Sequence, residues 1–136
     1  MHFLAYVKES EELYAGFTAT VKFLQQYGHK VILLGDIPEY DVQPEDCLYA
    51  TSIELSISYC SISKDDFFEQ KKFFEPVLKK IAEENHIRYV PMEIPLCNNA
   101  TCSMISGDTI FYRDKNHLNI PGSRLVGNYL NQMLRD

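Results

Sequence analysis

The sequence has 136 residues, 46% of them hydrophobic, 12% aromatic and 24% charged, with 13 Lys and Arg against 19 Asp and Glu for a formal net charge of −6. That length suits one domain with a core of useful size. The scattered cations make no basic footprint for nucleic acid or an anionic membrane, and no apolar run approaches the roughly 18–20 residues of a membrane span.

Leu13, Phe17, Val21 and Leu24 recur at near-helical spacing and predict a helix over residues 9–27, with Gly28 where a helix-ending glycine belongs. "KVILLGD" (30–36) is a short apolar run bounded by turn signals and predicts a buried strand. "IPEYDVQPEDC" comes next as a proline-bearing acidic loop. Residues 48–62 alternate like a strand but are equally consistent with an irregular excursion.

Ser63, three residues before Asp66, is a helix-capping start, and the segment to about Asn85 carries Phe67, Phe74, Leu78 and Ile81. Pro76 inside it should kink or restart that helix. The aromatic-rich "DDFFEQKKFFEP" reads as packed amphipathic helix, with an exposed docking surface as the alternative. "IRYVPM" (87–92) is a second short buried strand, and "TIFYR" (109–113) is a third strand or only an extended approach to the Asp114 segment. The last helix starts at an Asn119 cap with Pro121 in its first turn, and carries Leu125, Val126, Tyr129, Leu130, Met133 and Leu134 as one stripe. Helices alternating with strands imply an α/β fold with parallel pairing, because each crossover is long enough to need a helix.

Cys47, Cys60, Cys97 and Cys102 form an even set, and "CNNATC" is a short loop closed by two of them. Paired cysteines belong to oxidising compartments. The rival is a metal site, against which the spacings lack the C-x-x-C knuckles of zinc ligands. "MHFLAYVKESEE" has no basic region followed by an apolar one, so the chain as written carries no export signal and would stay in the cytoplasm. The cysteines and the N-terminus therefore point to different compartments.

"FYRDKNHLNIPG" places Asp114 three residues before His117, just ahead of the last helix. A histidine serves as general base for a hydroxyl nucleophile, and a carboxylate on its other ring nitrogen fixes the tautomer and stabilises the imidazolium. In open α/β sheets such groups gather beyond the carboxyl ends of strands. The plainer alternative is that Asp114 satisfies loop amides and His117 is a surface residue. His2, His29 and His86 have no partners at catalytic or metal spacing, and Asn99-Ala100-Thr101 is a glycosylation sequon that chance explains.

Taken in order, "VILLGDIPEYDVQPEDCL" with Pro38 and Cys47-Leu48, then Cys60, the amphipathic helix, "LCNNATC" and "DTIFYRDKNHLNIPGSRL" resemble the SGNH-type (GDSL-like) hydrolase domain. The version resembled is the one at the C-terminus of membrane-bound O-acyltransferases that acetylate bacterial surface polysaccharides. The resemblance runs from about residue 10 to the end. It implies part of a flavodoxin-like three-layer α/β fold, a short parallel sheet flanked by helices. It also implies His117 as catalytic base, Asp114 as its acidic partner, and disulfides Cys97–Cys102 and Cys47–Cys60. Tyr112, Leu118 and Gly122 match structural positions. No cofactor or metal is implied. The implied substrate is an acylated saccharide, and the implied parent is fused to an acyltransferase membrane domain and works on the periplasmic or extracellular face.

The departure is the nucleophile. Such a domain opens with a strand ending in Gly-Asp-Ser, followed by a glycine and an asparagine that donate to the oxyanion. Here "GDI" at 35–37 has Ile37 where serine would stand, and it coincides with the family's later strand and proline-bearing loop. Ser52, Ser63, Ser103 and Ser106 lack the strand-to-helix elbow that exposes a nucleophile and read as loop or capping residues. The expectation is a single SGNH-type domain over 1–136, its C-terminal portion, without the nucleophile-bearing first strand. "HFLAYV" (2–7) would then be the remnant of a strand or its exit. An exposed sheet edge would favour self-association. The alternative is a non-catalytic, degenerate α/β binding module.

Overall fold

A computed structural model describes residues 2–52 and 57–135. In chain order the elements are α1 (His2–Gln26), β1 (Ile32–Leu34), α2 (Pro44–Ser52), a 3₁₀ turn (Ile57–Cys60), β2 (Ser61–Ser63), α3 (Lys64–Lys71), α4 (Glu75–Glu84), β3 (Arg88–Val90), a 3₁₀ turn (Ile94–Leu96), β4 (Thr101–Ser103), β5 (Ile105–Ser106), β6 (Thr109–Ile110) and α5 (Ile120–Arg135). The fold is mixed α/β with short sheets and helices. The chain divides into two compact units: the chain up to Gly35 with Lys71–Pro91, and Asp36–Gln70 with the chain from Met92 onward.

The first unit is built on β1 and β3, which pair in parallel with Leu33 opposite Tyr89. Val21 from α1, Leu33 from β1, and Leu78, Ile81 and Ala82 from α4 form its buried core. Burial of each large aliphatic side chain stabilises by roughly 1.5–3 kcal/mol. α1 ends as Gly28 predicts. Gly28 takes φ +80°, its N–H donates to the Gln25 carbonyl, and the His29 N–H donates to the Leu24 carbonyl. That is the paired bond set of a left-handed glycine cap. Pro76 does restart a helix: α3 stops at Lys71, and α4 opens at Glu75 with the proline in its first turn.

Inside this unit lies a buried charged cluster. The Lys71 ammonium donates to the Glu75 carboxylate at 3.0 Å, and their side chains are only 9% and 8% exposed. The Tyr89 hydroxyl donates to the same Glu75 oxygen at 2.9 Å. Burial pushes the Glu75 carboxyl up, but the bonds from Lys71 and Tyr89 outweigh it and hold the group below its ordinary value.

In the second unit, β2 pairs antiparallel with β4, and β5 with β6. Ser63 caps α3: its hydroxyl accepts from the Asp66 N–H at 2.9 Å and donates to the Asp66 carboxylate at 2.7 Å. Cys47–Cys60 ties α2 to the first 3₁₀ turn, and Cys97–Cys102 closes the short loop before β4. Cys47, Cys60, Cys102, Met104 and Tyr112 are almost wholly buried.

Three local expectations are corrected. Residues 2–7 are helical, continuous with α1, because no glycine or proline separates them from the apolar-periodic segment that begins at Leu13. The loop after β1 ends sooner than its acidic composition suggested. Pro44 begins α2, and Glu45 and Asp46 in the first turn favour its positive N-terminal end. Of "TIFYR", only Thr109 and Ile110 form a strand, and it is antiparallel. The two-residue link Gly107-Asp108, with Gly107 at φ +56°, can join only antiparallel neighbours. Residues 48–62 are not one strand: residues 48–52 end α2, Ile57–Cys60 form a 3₁₀ turn and residues 61–62 open β2, with 53–56 outside the described residues.

Candidate active site

The segment between β6 and α5 is a turn held by its own side chains. The Arg113 N–H donates to the His117 carbonyl at 2.8 Å, and Tyr112 bridges Leu118 across it. The Asp114 Oδ1 accepts from the Asn116 N–H at 3.1 Å and from the His117 N–H at 2.8 Å. This is the local capture of amides for which aspartate is favoured in turns.

The same carboxylate also meets the imidazole. His117 Nδ1 lies 2.9 Å from Asp114 Oδ1 and 3.0 Å from Oδ2. The two readings of Asp114 are therefore not exclusive: it satisfies loop amides and holds the ring. The pairing selects the tautomer in which Nδ1–H donates to the carboxylate. Nε2, the other nitrogen, then carries the lone pair, and it has no partner among the described residues. The Asn116 N–H, together with the His117 ring and N–H, holds the Asp114 carboxyl down at about 2 against a smaller opposing effect of desolvation. The Arg113 guanidinium adds a cation at 3.6 Å. The Asp114 and His117 side chains are 37% and 60% exposed, so a reacting group can approach from solvent.

The flanking residues explain why the turn sits where it does. Asn119 caps α5: its Oδ1 accepts from the Gly122 N–H at 2.9 Å, and its Nδ2 donates back to the Ile110 carbonyl at 2.8 Å. Its own N–H donates to the Phe111 carbonyl at 2.9 Å. A groove of about 660 Å³ lies alongside, lined by Arg113, Leu118, Ile120, Pro121 and Arg124 among others.

Two long-range ties under the turn carried no sequence signal of this kind. The buried Tyr112 hydroxyl donates to the Pro38 carbonyl at 2.8 Å. The Tyr40 N–H donates to the Lys115 carbonyl at 2.9 Å. Pro38 and Tyr112 stood out singly, but nothing in the sequence connects positions this far apart.

Ser63 and Ser103 spend their hydroxyls on partners other than the histidine. Ser103 Oγ donates toward the Ile105 and Cys60 carbonyls at 2.9 and 3.3 Å, and Ser63 is spent on its cap. Ser106 lies in β5 beside the hairpin turn, and the side chain of Ser52 lies outside the described residues. No serine hydrogen-bonds to His117 among the described residues, although Ser123 lines the same groove as Arg113 and Leu118. Both Gly-Asp pairs of the chain lack a following serine: Gly35-Asp36 precedes Ile37, and Gly107-Asp108 precedes Thr109. The Cys97–Cys102 loop is organised by Asn98, whose Oδ1 accepts from the Ala100 and Thr101 N–H groups, each at 2.8 Å. No cysteine is free among the described residues, and they hold no cluster of three His, Cys, Asp or Glu side chains able to bind a metal.

A family model described as the SGNH domain fused to AT3 domains matches residues 2–132. Searches among curated proteins and among solved structures found no match.

Proposed function

Since the chain belongs to the SGNH domain family fused to AT3 domains, we propose that it is the histidine- and aspartate-bearing part of a domain that transfers or hydrolyses O-acetyl groups on a cell-surface polysaccharide. The observation that carries this is the contact of both Asp114 oxygens with His117 Nδ1, which leaves Nε2 without a partner among the described residues. In the proposed chemistry, Nε2 takes the proton of a serine hydroxyl as the oxygen attacks the acetyl carbonyl. The imidazolium so formed is stabilised by Asp114 and returns the proton to the departing sugar oxygen. A sugar hydroxyl or water then attacks the acetyl-serine by the same route in reverse.

On this reading the serine and its oxyanion donors come from sequence beyond these 136 residues, because neither Gly-Asp pair here continues to serine. The chain alone is then inactive, since nucleophile, base and oxyanion donors act as a unit. The two disulfides support a site on the periplasmic or extracellular face of a membrane acyltransferase parent. No helix among the described residues is long and apolar enough to cross a membrane. β1 and β3 form a ladder of only two strands among the described residues. Its outer edges pair with no further strand among the described residues, and unpaired edges are where self-association would occur.

The test is turnover of p-nitrophenyl acetate by the purified chain beside His117→Ala. Matching background rates are expected. Turnover well above background that disappears in His117→Ala, with the acetyl group trapped on a serine rather than passing through the exposed imidazole itself, would mean that one of the chain's own serines is the nucleophile. In the AT3-fused parent, His117→Ala should lower acetyl transfer by about 10³-fold or more; an unchanged rate there would remove His117 from the mechanism.

A further inference from the structure

The Asp114–His117 turn is gripped from below by a short stretch of the preceding loop. Tyr112 is 1% exposed, and its hydroxyl donates to the carbonyl of Pro38, itself fully buried. Two residues further on, the Tyr40 N–H donates to the carbonyl of Lys115, inside the turn between the aspartate and the histidine. The Tyr40 ring packs edge-on against Tyr112 with centroids 5.0 Å apart. Residues 112–115 and 38–40 therefore form a closed ring: chain from Tyr112 to Lys115, hydrogen bond to Tyr40, chain back to Pro38, hydrogen bond to the Tyr112 phenol. Burial pushes both phenols well above their ordinary range, so neither ionises near neutral pH.

We infer that the Tyr112 hydroxyl is a positioning residue for the His117–Asp114 pair, acting through Pro38 and Tyr40 to fix the Lys115 peptide and so the turn that brings carboxylate and imidazole together. This rests on reading the pair as a base and its orienting partner. The turn's own bonds are local and partly exposed, and bonds of that kind open readily. The clamp adds two bonds from a distant part of the chain, one of them wholly buried, where an unmade partner is costly. Without the Tyr112 hydroxyl, the Pro38 carbonyl is left buried and unpaired, and the segment that holds Lys115 is free to shift.

The experiment tracks the Asp114 carboxyl through its titration by carbon NMR in the full chain, well below the melting temperature, for wild type, Tyr112→Phe and Ile81→Val. Wild type should titrate at about 2. Tyr112→Phe should shift Asp114 upward toward the ordinary carboxylate range, and the downfield Nδ1–H resonance of His117 should broaden or vanish. Ile81→Val lowers stability in the other unit and should leave the titration unmoved, which separates positioning from general destabilisation. A folded Tyr112→Phe with wild-type Asp114 titration overturns the inference. If Tyr112→Phe does not fold, the Tyr40 amide of wild type decides. Protection from hydrogen exchange by at least about 10²-fold supports the clamp, and exchange at the rate of an open loop overturns it. Acetyl transfer by the fused parent reads the catalytic role of His117 separately, so either idea can fail without the other.

Discussion

Gly122 in the first turn of α5 rests directly against the Phe111 carbonyl. A methyl group in place of its hydrogen would overlap that oxygen and come within 2.9 Å of the carbonyl carbon and 3.0 Å of a Leu118 methyl. The obstacle is backbone, which cannot rotate aside as a long side chain would. The glycine is thus required for close approach of helix and loop rather than for an unusual backbone angle.

Gly122→Ala should therefore destabilise the chain by about 1–3 kcal/mol, as overpacking does. It should also push α5 away from Phe111 and weaken the Asn119 cap. Urea unfolding monitored by circular dichroism reads the loss of stability. A midpoint equal to wild type would show that the helix start packs more loosely on Phe111 than this contact implies.

The Lys71–Glu75–Tyr89 cluster predicts both a mutational and a pH effect. Lys71→Met removes the buried cation but leaves Glu75 the Lys79 ammonium at 3.4 Å and the Tyr89 hydroxyl. The loss should therefore fall below the roughly 3–5 kcal/mol of a fully orphaned buried charge. Glu75 is held below its ordinary value of 4.5 in the folded chain. Its contribution is therefore fully present above that value and is lost as pH falls through the lower folded value. Unfolding midpoints between pH 7 and pH 3 should drop on the acid side in wild type and less steeply in Glu75→Gln. Equal slopes would mean that the cluster is not linked to folding.

Asp114 obeys the same sign at a lower pH. Its carboxyl is held at about 2 by the Asn116 N–H first and by His117 after it. What the ionised form contributes to the turn persists above the ordinary carboxylate range and is lost only as pH falls through about 2. His117→Ala should raise the Asp114 value only part of the way, because the largest cause remains. A complete return to the ordinary value would make the imidazole, not the backbone, the chief partner.

Much of this was legible because it is local. The Gly28 end of α1, the Ser63 cap, the Pro76 restart, and the Asn119 and Pro121 start of α5 each depend on a few neighbouring residues whose backbone chemistry is specific. Asp114 and His117 were legible for the same reason: three residues apart in a tight turn, they can meet with little help. Strand lengths were less legible, since a strand ends where its partner ends, and "TIFYR" contains nothing to say that Phe111 would turn toward α5. The cysteine pairing was reached by resemblance and not by spacing. The tie from Tyr112 to Pro38 spans 74 positions, and no local pattern records a contact of that range.

The order in which the chain is made adds one consequence. β1 is complete at Leu34, but its partner β3 ends at Val90. The first unit therefore cannot close while the intervening stretch is being synthesised, and α1 with its apolar stripe must wait. Cys47 and Cys60 both lie within that stretch and can meet sooner, since short loops close first. The slow event in forming this molecule should accordingly be the long-range parallel pairing. Asp114 and His117, which lie later in the chain than β3, are synthesised only after both strands of that ladder exist.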